Sequence, residues 1–226
     1  MIARRTLLGA SIAAAGVGLY GTPVAAHGQD ETPPDPRQAL NRLRQGNKRW
    51  VDGTLLPRDP VAERRRRVAG AQHPFAVVFS CIDSRVPPEY VFDQDLGDLF
   101  VVRTGAQSLD PLVAGSIEYG PAHGVPLVFV LGHTSCGAIR ATVESIEDGV
   151  QFPGHVMVLV DALRPAYEVA QRSFDDSWSR AQRIAATVDA QVELTVAQLR
   201  TFIKGGLTEV AGGRYNLHSG VVTGVV

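Results

Sequence analysis

The sequence has little of several things, and each shortage excludes something. It carries only two cysteines, Cys81 and Cys136, so at most one disulfide can form within the chain. Charge is balanced, with 22 basic and 23 acidic side chains for a net of −1, which argues against a nucleic-acid partner. The body of the chain has no apolar run of about twenty residues, so nothing there spans a bilayer. It also has no internal repeat and no phosphate-binding glycine motif. What is present is ordinary globular composition: 226 residues, 45% hydrophobic and 20% charged, enough for one α/β domain with a sizeable core.

The first 26 residues stand apart. Arg4-Arg5 precede a short apolar, Gly- and Ala-rich run that ends near Val24-Ala25-Ala26. This is the layout of a signal peptide, and the paired arginines give it a twin-arginine character. It predicts export to the periplasm, the cell surface or the medium, with no stable membrane insertion once the signal is removed. Such export carries folded chains, so a metal could be loaded in the reducing cytoplasm. Residues 27–36, with Pro33, Pro34 and Pro36, read as a linker, and 37–226 as a single domain.

Asp35-Pro36 opens a helix whose apolar face holds Ala39, Leu40, Leu43 and Trp50, with Gly53 beyond its end. Short apolar runs at 74–80, 99–103 and 126–132 read as buried strands. Helical stretches are expected at 108–119 and 138–148. A further helical region over 154–204 is expected to break near Pro165 and around 173–177. Strands alternating with helices imply right-handed crossovers and a mainly parallel sheet flanked by helices. Residues 207–226 read as a terminal hairpin around His218-Ser219-Gly220. The run Arg64–Arg67 reads as a solvated helix side.

The chemistry sits at two strand ends. Cys81-Ile82-Asp83-Ser84-Arg85 follows the first strand, and His133-Thr134-Ser135-Cys136-Gly137 follows the third. In an open α/β sheet, ligands bind at the carboxyl ends of strands. If the two strands are parallel neighbours, Cys81, His133 and Cys136 can meet. Two thiolates and an imidazole suit Zn²⁺ and leave a fourth position open, the arrangement of a catalytic site. A disulfide between the two cysteines is the alternative reading in an exported chain, but it would not account for His133, Asp83 and Arg85 beside them.

The pair of motifs, Cys81-x-Asp83-Ser84-Arg85-Val86 and, about fifty residues on, Gly132-His133-x-x-Cys136-Gly137, resembles the signature of the β-class carbonic anhydrases. The likeness runs from about Arg37 to the C-terminus. It implies zinc-dependent hydration of CO2 to bicarbonate and a proton, by a zinc-bound hydroxide that an Asp83–Arg85 pair orients. With that pair broken, the resemblance implies that Asp83 can take the fourth zinc position and shut the site. It also implies substrate contacts at Gln72, Phe100, Gly105, Tyr119 and Gly137, an N-terminal helical arm that embraces a partner subunit, and a homodimer or homotetramer. By its own pattern, that helix could equally pack on its own domain.

A bicarbonate-inhibited subset of the family has Trp where Val78 stands here, while Arg103, another position of that inhibitory pocket, is present. The expectation is therefore an open site near neutral pH. Ile82 and the run Gly105-Ala106-Gln107 depart slightly from the family pattern. Hydrolases of COS and CS2 resemble the same family, and a non-catalytic disulfide- or zinc-bearing binding protein is a third reading. No histidine outside the motif has support as a proton shuttle.

Overall fold

The apolar stretch after Pro74 forms β1 (Ala76–Cys81), buried along its whole length. With β2 (Leu99–Thr104), β3 (Leu127–His133), β4 (Glu209–Tyr215) and β5 (Val222–Gly224) it makes one sheet of order β2-β1-β3-β4-β5. The first four strands pair in parallel, and β5 returns antiparallel on β4 as the expected hairpin. This computed structural model describes residues 35–203 and 207–226. The signal-peptide reading and most of the linker fall outside the described residues.

The burial pattern of β1 and β3 follows from helices on both faces. Alternate residues serve opposite cores. Ala76, Val78, Leu127, Phe129 and Leu131 pack with Ala39 and Leu43 of α1 (Pro36–Asp52). Val77, Phe79, Val128 and Val130 pack with Val192, Val196 and Leu199 of α7 (Arg180–Phe202), and with Ile117 of α4 (Pro111–Ala122). No helix among the described residues is long and apolar enough to cross a membrane.

α1 starts where Asp35 accepts from the amide of Gln38, with Pro36 in the first turn, and ends at Gly53. It packs on its own chain. A Cβ on Gly46 would lie 1.7 Å from the carbonyl oxygen of Phe92, so only glycine allows this approach. The Asn47 amide donates to the carbonyls of Val91 and Gly220 and accepts from the amide of Val222.

Three local expectations are corrected. Pro165 does not interrupt α6 (His155–Ala170). It is exposed, so the backbone carbonyl that loses its helical donor can turn to water. The other expected break, around 173–177, is present: the helical region is interrupted between a 3-10 turn at Gln171–Ser173 and the start of α7 at Arg180. α4 begins later than expected, because Asp110 caps it and Pro111 takes its first turn. Within α2 (Val61–Val68), Arg65 to Arg67 are exposed but Arg64 is buried. Arg64 pairs with Asp98 at 3.0 Å and donates to the carbonyl of Leu96. A charge run shows no face in the sequence, and the helix turns this one guanidinium inward to a buried carboxylate.

Candidate metal centre

Cys81 is the last residue of β1 and His133 the last of β3. The two strands pair with Ser80 opposite Leu131, so both side chains leave the sheet at one edge. That edge is where the chain reverses direction across the sheet, with β2 on one side of β1 and β3 on the other, the place where open α/β folds bind ligands. A tight turn then brings in Cys136, helped by Ser135 in the left-handed region at φ 57. Cys136 caps α5 (Gly137–Asp148).

The ligand atoms of Cys81, His133 and Cys136 lie within 4.8 Å of one another, and all three residues are buried. Both cysteines are free and their sulfurs are 3.9 Å apart. Tetrahedral Zn–S bonds of about 2.3 Å would set two sulfurs roughly 3.8 Å apart.

His133 is oriented for ligation. Its Nδ1 lies 2.9 Å from the carbonyl of Thr134, which can only accept, so Nδ1 carries the proton and a neutral ring offers its lone pair at Nε2. Thr134 is itself clamped, its amide donating to the Tyr215 carbonyl and its hydroxyl oxygen accepting from the Leu217 amide. Nε2 is buried and has no hydrogen-bond partner. A buried polar atom left unpaired is costly, and a cation between the two sulfurs would satisfy it.

The thiols point the same way. Cys81 is held well below the usual thiol range, first by its hydrogen bond with Cys136 and then by the amide of Ala106. Cys136 is pushed up, first because it donates to Cys81 and then by burial. Without a cation the pair shares one proton, and a divalent ion is what allows both to ionise. The first-turn amides of Ile139 and Ala138 favour the Cys136 thiolate. The residues present fit a zinc ion.

Asp83 stands beside this group. Arg85 holds it with Nε to Oδ1 at 2.9 Å and Nη2 to Oδ2 at 2.8 Å, and its own amide adds a bond to Oδ1 at 3.0 Å. These bonds, the side-chain pair first, lower the Asp83 carboxyl to about 2. The loop is pinned from β2: Arg103 donates to the backbone carbonyls of Cys81 (2.9 Å) and Asp83 (2.7 Å).

The expected substrate residues divide into two groups. Gly137 begins α5 directly after Cys136. Gly105 opens the 3-10 turn that touches Cys81, and a Cβ there would meet Leu159 at 2.6 Å. Phe100, Tyr119 and Gln72 are elsewhere in the chain. Phe100 pairs with Val77, four positions before Cys81, about 13 Å away at roughly 3.3 Å per residue. Tyr119 stacks edge-on against Phe100 at 5.7 Å. Gln72 is exposed ahead of β1. The supporting roles of Thr134 and Ala106 were not read from the sequence, because each acts through its backbone, which no motif reports. Arg103 had been read only as part of an inhibitory pocket.

The family model for carbonic anhydrase matches residues 76–222. A carbonic anhydrase of Mycolicibacterium smegmatis is 39% identical over 192 residues, covering 83% of this chain and 92% of its own. Among solved structures, the β-carbonic anhydrase CafA of Aspergillus fumigatus is similar with a TM-score of 0.62 at 25% identity, covering 83% of this chain and 89% of its own. A chain from the crystal structures of two tetrameric β-carbonic anhydrases of Sordaria macrospora shares the fold, with a TM-score of 0.63 at 21% identity over 83% of this chain and 96% of its own.

Proposed function

The chain belongs to the β-class carbonic anhydrase family, and we propose that it hydrates CO2 reversibly to bicarbonate and a proton, with one Zn²⁺ held by Cys81, His133 and Cys136. The observation that carries this reading is the buried Nε2 of His133, unpartnered and aimed at two free thiols. Bound there, zinc supplies Lewis acidity that lowers the pKa of a water and so makes a nucleophile available near neutral pH.

The chain's own groups do the positioning. Asp83 accepts a hydrogen bond from the attacking water and turns an oxygen lone pair toward CO2. With its carboxyl held at about 2, it stays ionised and is too weak a base to keep the proton at neutral pH. It therefore orients, and the proton passes on to buffer. Arg85 keeps Asp83 in place and away from the fourth metal position, which supports an open site at pH 7. The amide of Gly137 and the Gly105 turn bound the space for substrate.

A homodimer or homotetramer is part of this reading. β2 is an outer strand of the sheet, and of the twelve residues of the largely apolar α4 only Ile117 and Gly120 are buried. Leu112 is 83% exposed and Tyr119 52%, an apolar surface that a second copy would cover. Gln72, Phe100 and Tyr119 serve substrate only across such an interface, since within one chain they are remote from the metal group. For localisation, the Arg4-Arg5 pattern supports twin-arginine export. Undiminished export of an Arg4→Lys, Arg5→Lys fusion would refute that part.

Stopped-flow CO2 hydration by zinc-quantified protein tests the whole reading. Turnover already strong at pH 7 is expected. Full zinc occupancy with no hydration at any pH from 6.5 to 9 would overturn it.

A further inference from the structure

We propose that Gln107, braced by Gln191, is a positioning residue that aims the Ala106 amide at the sulfur of Cys81. The inference rests on the metal-site reading above. Ala106 and Gln107 are consecutive non-glycine residues in the left-handed region, at φ 49 and φ 54. Such a backbone persists only where its surroundings enforce it.

The enforcing groups form one buried chain. The Gln107 side-chain amide donates to the carbonyl of Leu131 on β3 at 2.6 Å. The Gln107 carbonyl accepts from Nε2 of Gln191 on α7 at 3.5 Å, and the same Nε2 reaches Oγ1 of Thr195 at 3.2 Å. The turn is closed locally by the Ser108 amide on the Gly105 carbonyl and by the Thr104 hydroxyl on the Ser108 carbonyl. Ala106, Gln107, Gln191 and Thr195 are all buried.

The consequence is one contact at the metal group. The Ala106 amide sits 3.4 Å from Cys81 Sγ and donates to it. A hydrogen bond to a ligating sulfur draws electron density from it, and so sets how strongly it donates to a metal. The strained turn is therefore a device that acts on Cys81 from β3 and α7, through a backbone donor that no side-chain motif encodes. Gln107 touches neither substrate nor metal and works only through Ala106.

The test compares Co²⁺-substituted wild type with Gln107→Met, Gln191→Met and, as a stability control in the opposite core, Leu43→Ala. With Gln107→Met the thiolate-to-cobalt charge-transfer band is expected at longer wavelength. Its zinc dissociation constant, by chelator competition, is expected to rise about tenfold or more, because the sulfur that donates more strongly has also lost the partner that orients it. Gln191→Met should move the band the same way but less, and Leu43→Ala should lower stability and leave the band in place. Bound cobalt with an unmoved band in both Gln variants would overturn the positioning role alone. If Gln107→Met does not fold, an unmoved band in Gln191→Met is enough to overturn it. A wild type that takes up neither cobalt nor zinc would overturn the metal reading, and this inference with it.

Discussion

Arg85 grips both carboxylate oxygens of Asp83 and leaves Oδ2 3.9 Å from Nε2 of His133. The carboxylate is thus held beside the metal group without bonding to its imidazole. Asp83→Asn keeps the shape and loses the charge. It should lower kcat/KM for CO2 hydration by about 100-fold or more while zinc content stays at one per chain. Equal rates would show that Asp83 only braces the loop.

The same pair sets a pH dependence of stability. The folded pKa of Asp83, about 2, lies below the roughly 3.9 of an unfolded chain. Its contribution is therefore complete above about pH 4 and is lost as pH falls toward 2. Arg85 is largely exposed, so solvent screening keeps the effect small. Urea midpoints measured from pH 5 to pH 2 should fall less steeply for Asp83→Asn than for wild type.

Metal should stabilise a fold that exists without it. The two cores on either side of the sheet contain none of the ligands, and Cys81 and Cys136 also pack in an apolar cluster with Ile139, Leu163 and Val188 that needs no metal to be buried. Chelation should lower Tm, since a ligand that binds only the folded state stabilises it by mass action, and should leave the far-UV circular dichroism in place. Cys136→Ala should start at the lower Tm and not respond to chelator. A chelated wild type that unfolds at room temperature would contradict this.

Arg64 and Arg65 are neighbours in sequence and opposites in environment. Arg64→Ala removes a buried guanidinium from Asp98, which keeps Arg42 at 3.3 Å and the Asp95 amide, and should cost about 1.5–3 kcal/mol. Arg65→Ala on the exposed side should stay within about 0.5 kcal/mol. Urea unfolding of the two variants reads the difference directly.

Leu112→Asp places a charge on the exposed apolar face of α4. Sedimentation velocity should show the wild-type assembly and a smaller species for the variant, with activity falling in step if Phe100 and Tyr119 serve the partner's site. An unchanged sedimentation coefficient would move the interface elsewhere.

The strands could be read from the sequence because each is a short, continuous apolar run bounded by turn residues. β1 and β3 lie almost where the runs around Val77 and Val128 put them. The start of α1 was readable because Asp35 caps it, the start of α4 was expected at Ser108, ahead of its Asp110 cap, and a helix passing through proline was not readable, because Pro165 is tolerated by facing solvent. The metal-ligand residues were readable because Cys81, His133 and Cys136 have side chains that can do little else together at two strand ends.

By itself, then, the sequence determined the local periodicities, the caps and which residues carry metal chemistry, all properties of side chains within a few positions of one another. The tertiary structure alone decided the rest. It decided that β1 and β3 are adjacent in a register that points two sulfurs and Nε2 at one spot. It also decided that Arg64 turns inward while Arg65 does not, and that Gly46 and Asn47 seat α1 on its own domain. Phe100 ends up about 13 Å along the strands from Cys81 because a strand advances roughly 3.3 Å per residue and it pairs near the start of β1, and Tyr119 of α4 packs against it there. Ala106 donates to Cys81 because Leu131 and Gln191, 24 and 84 residues from Gln107 along the chain, hold its turn from two other elements. Such contacts depend on which distant segments pack together, and a single chain read in order does not contain that distance information.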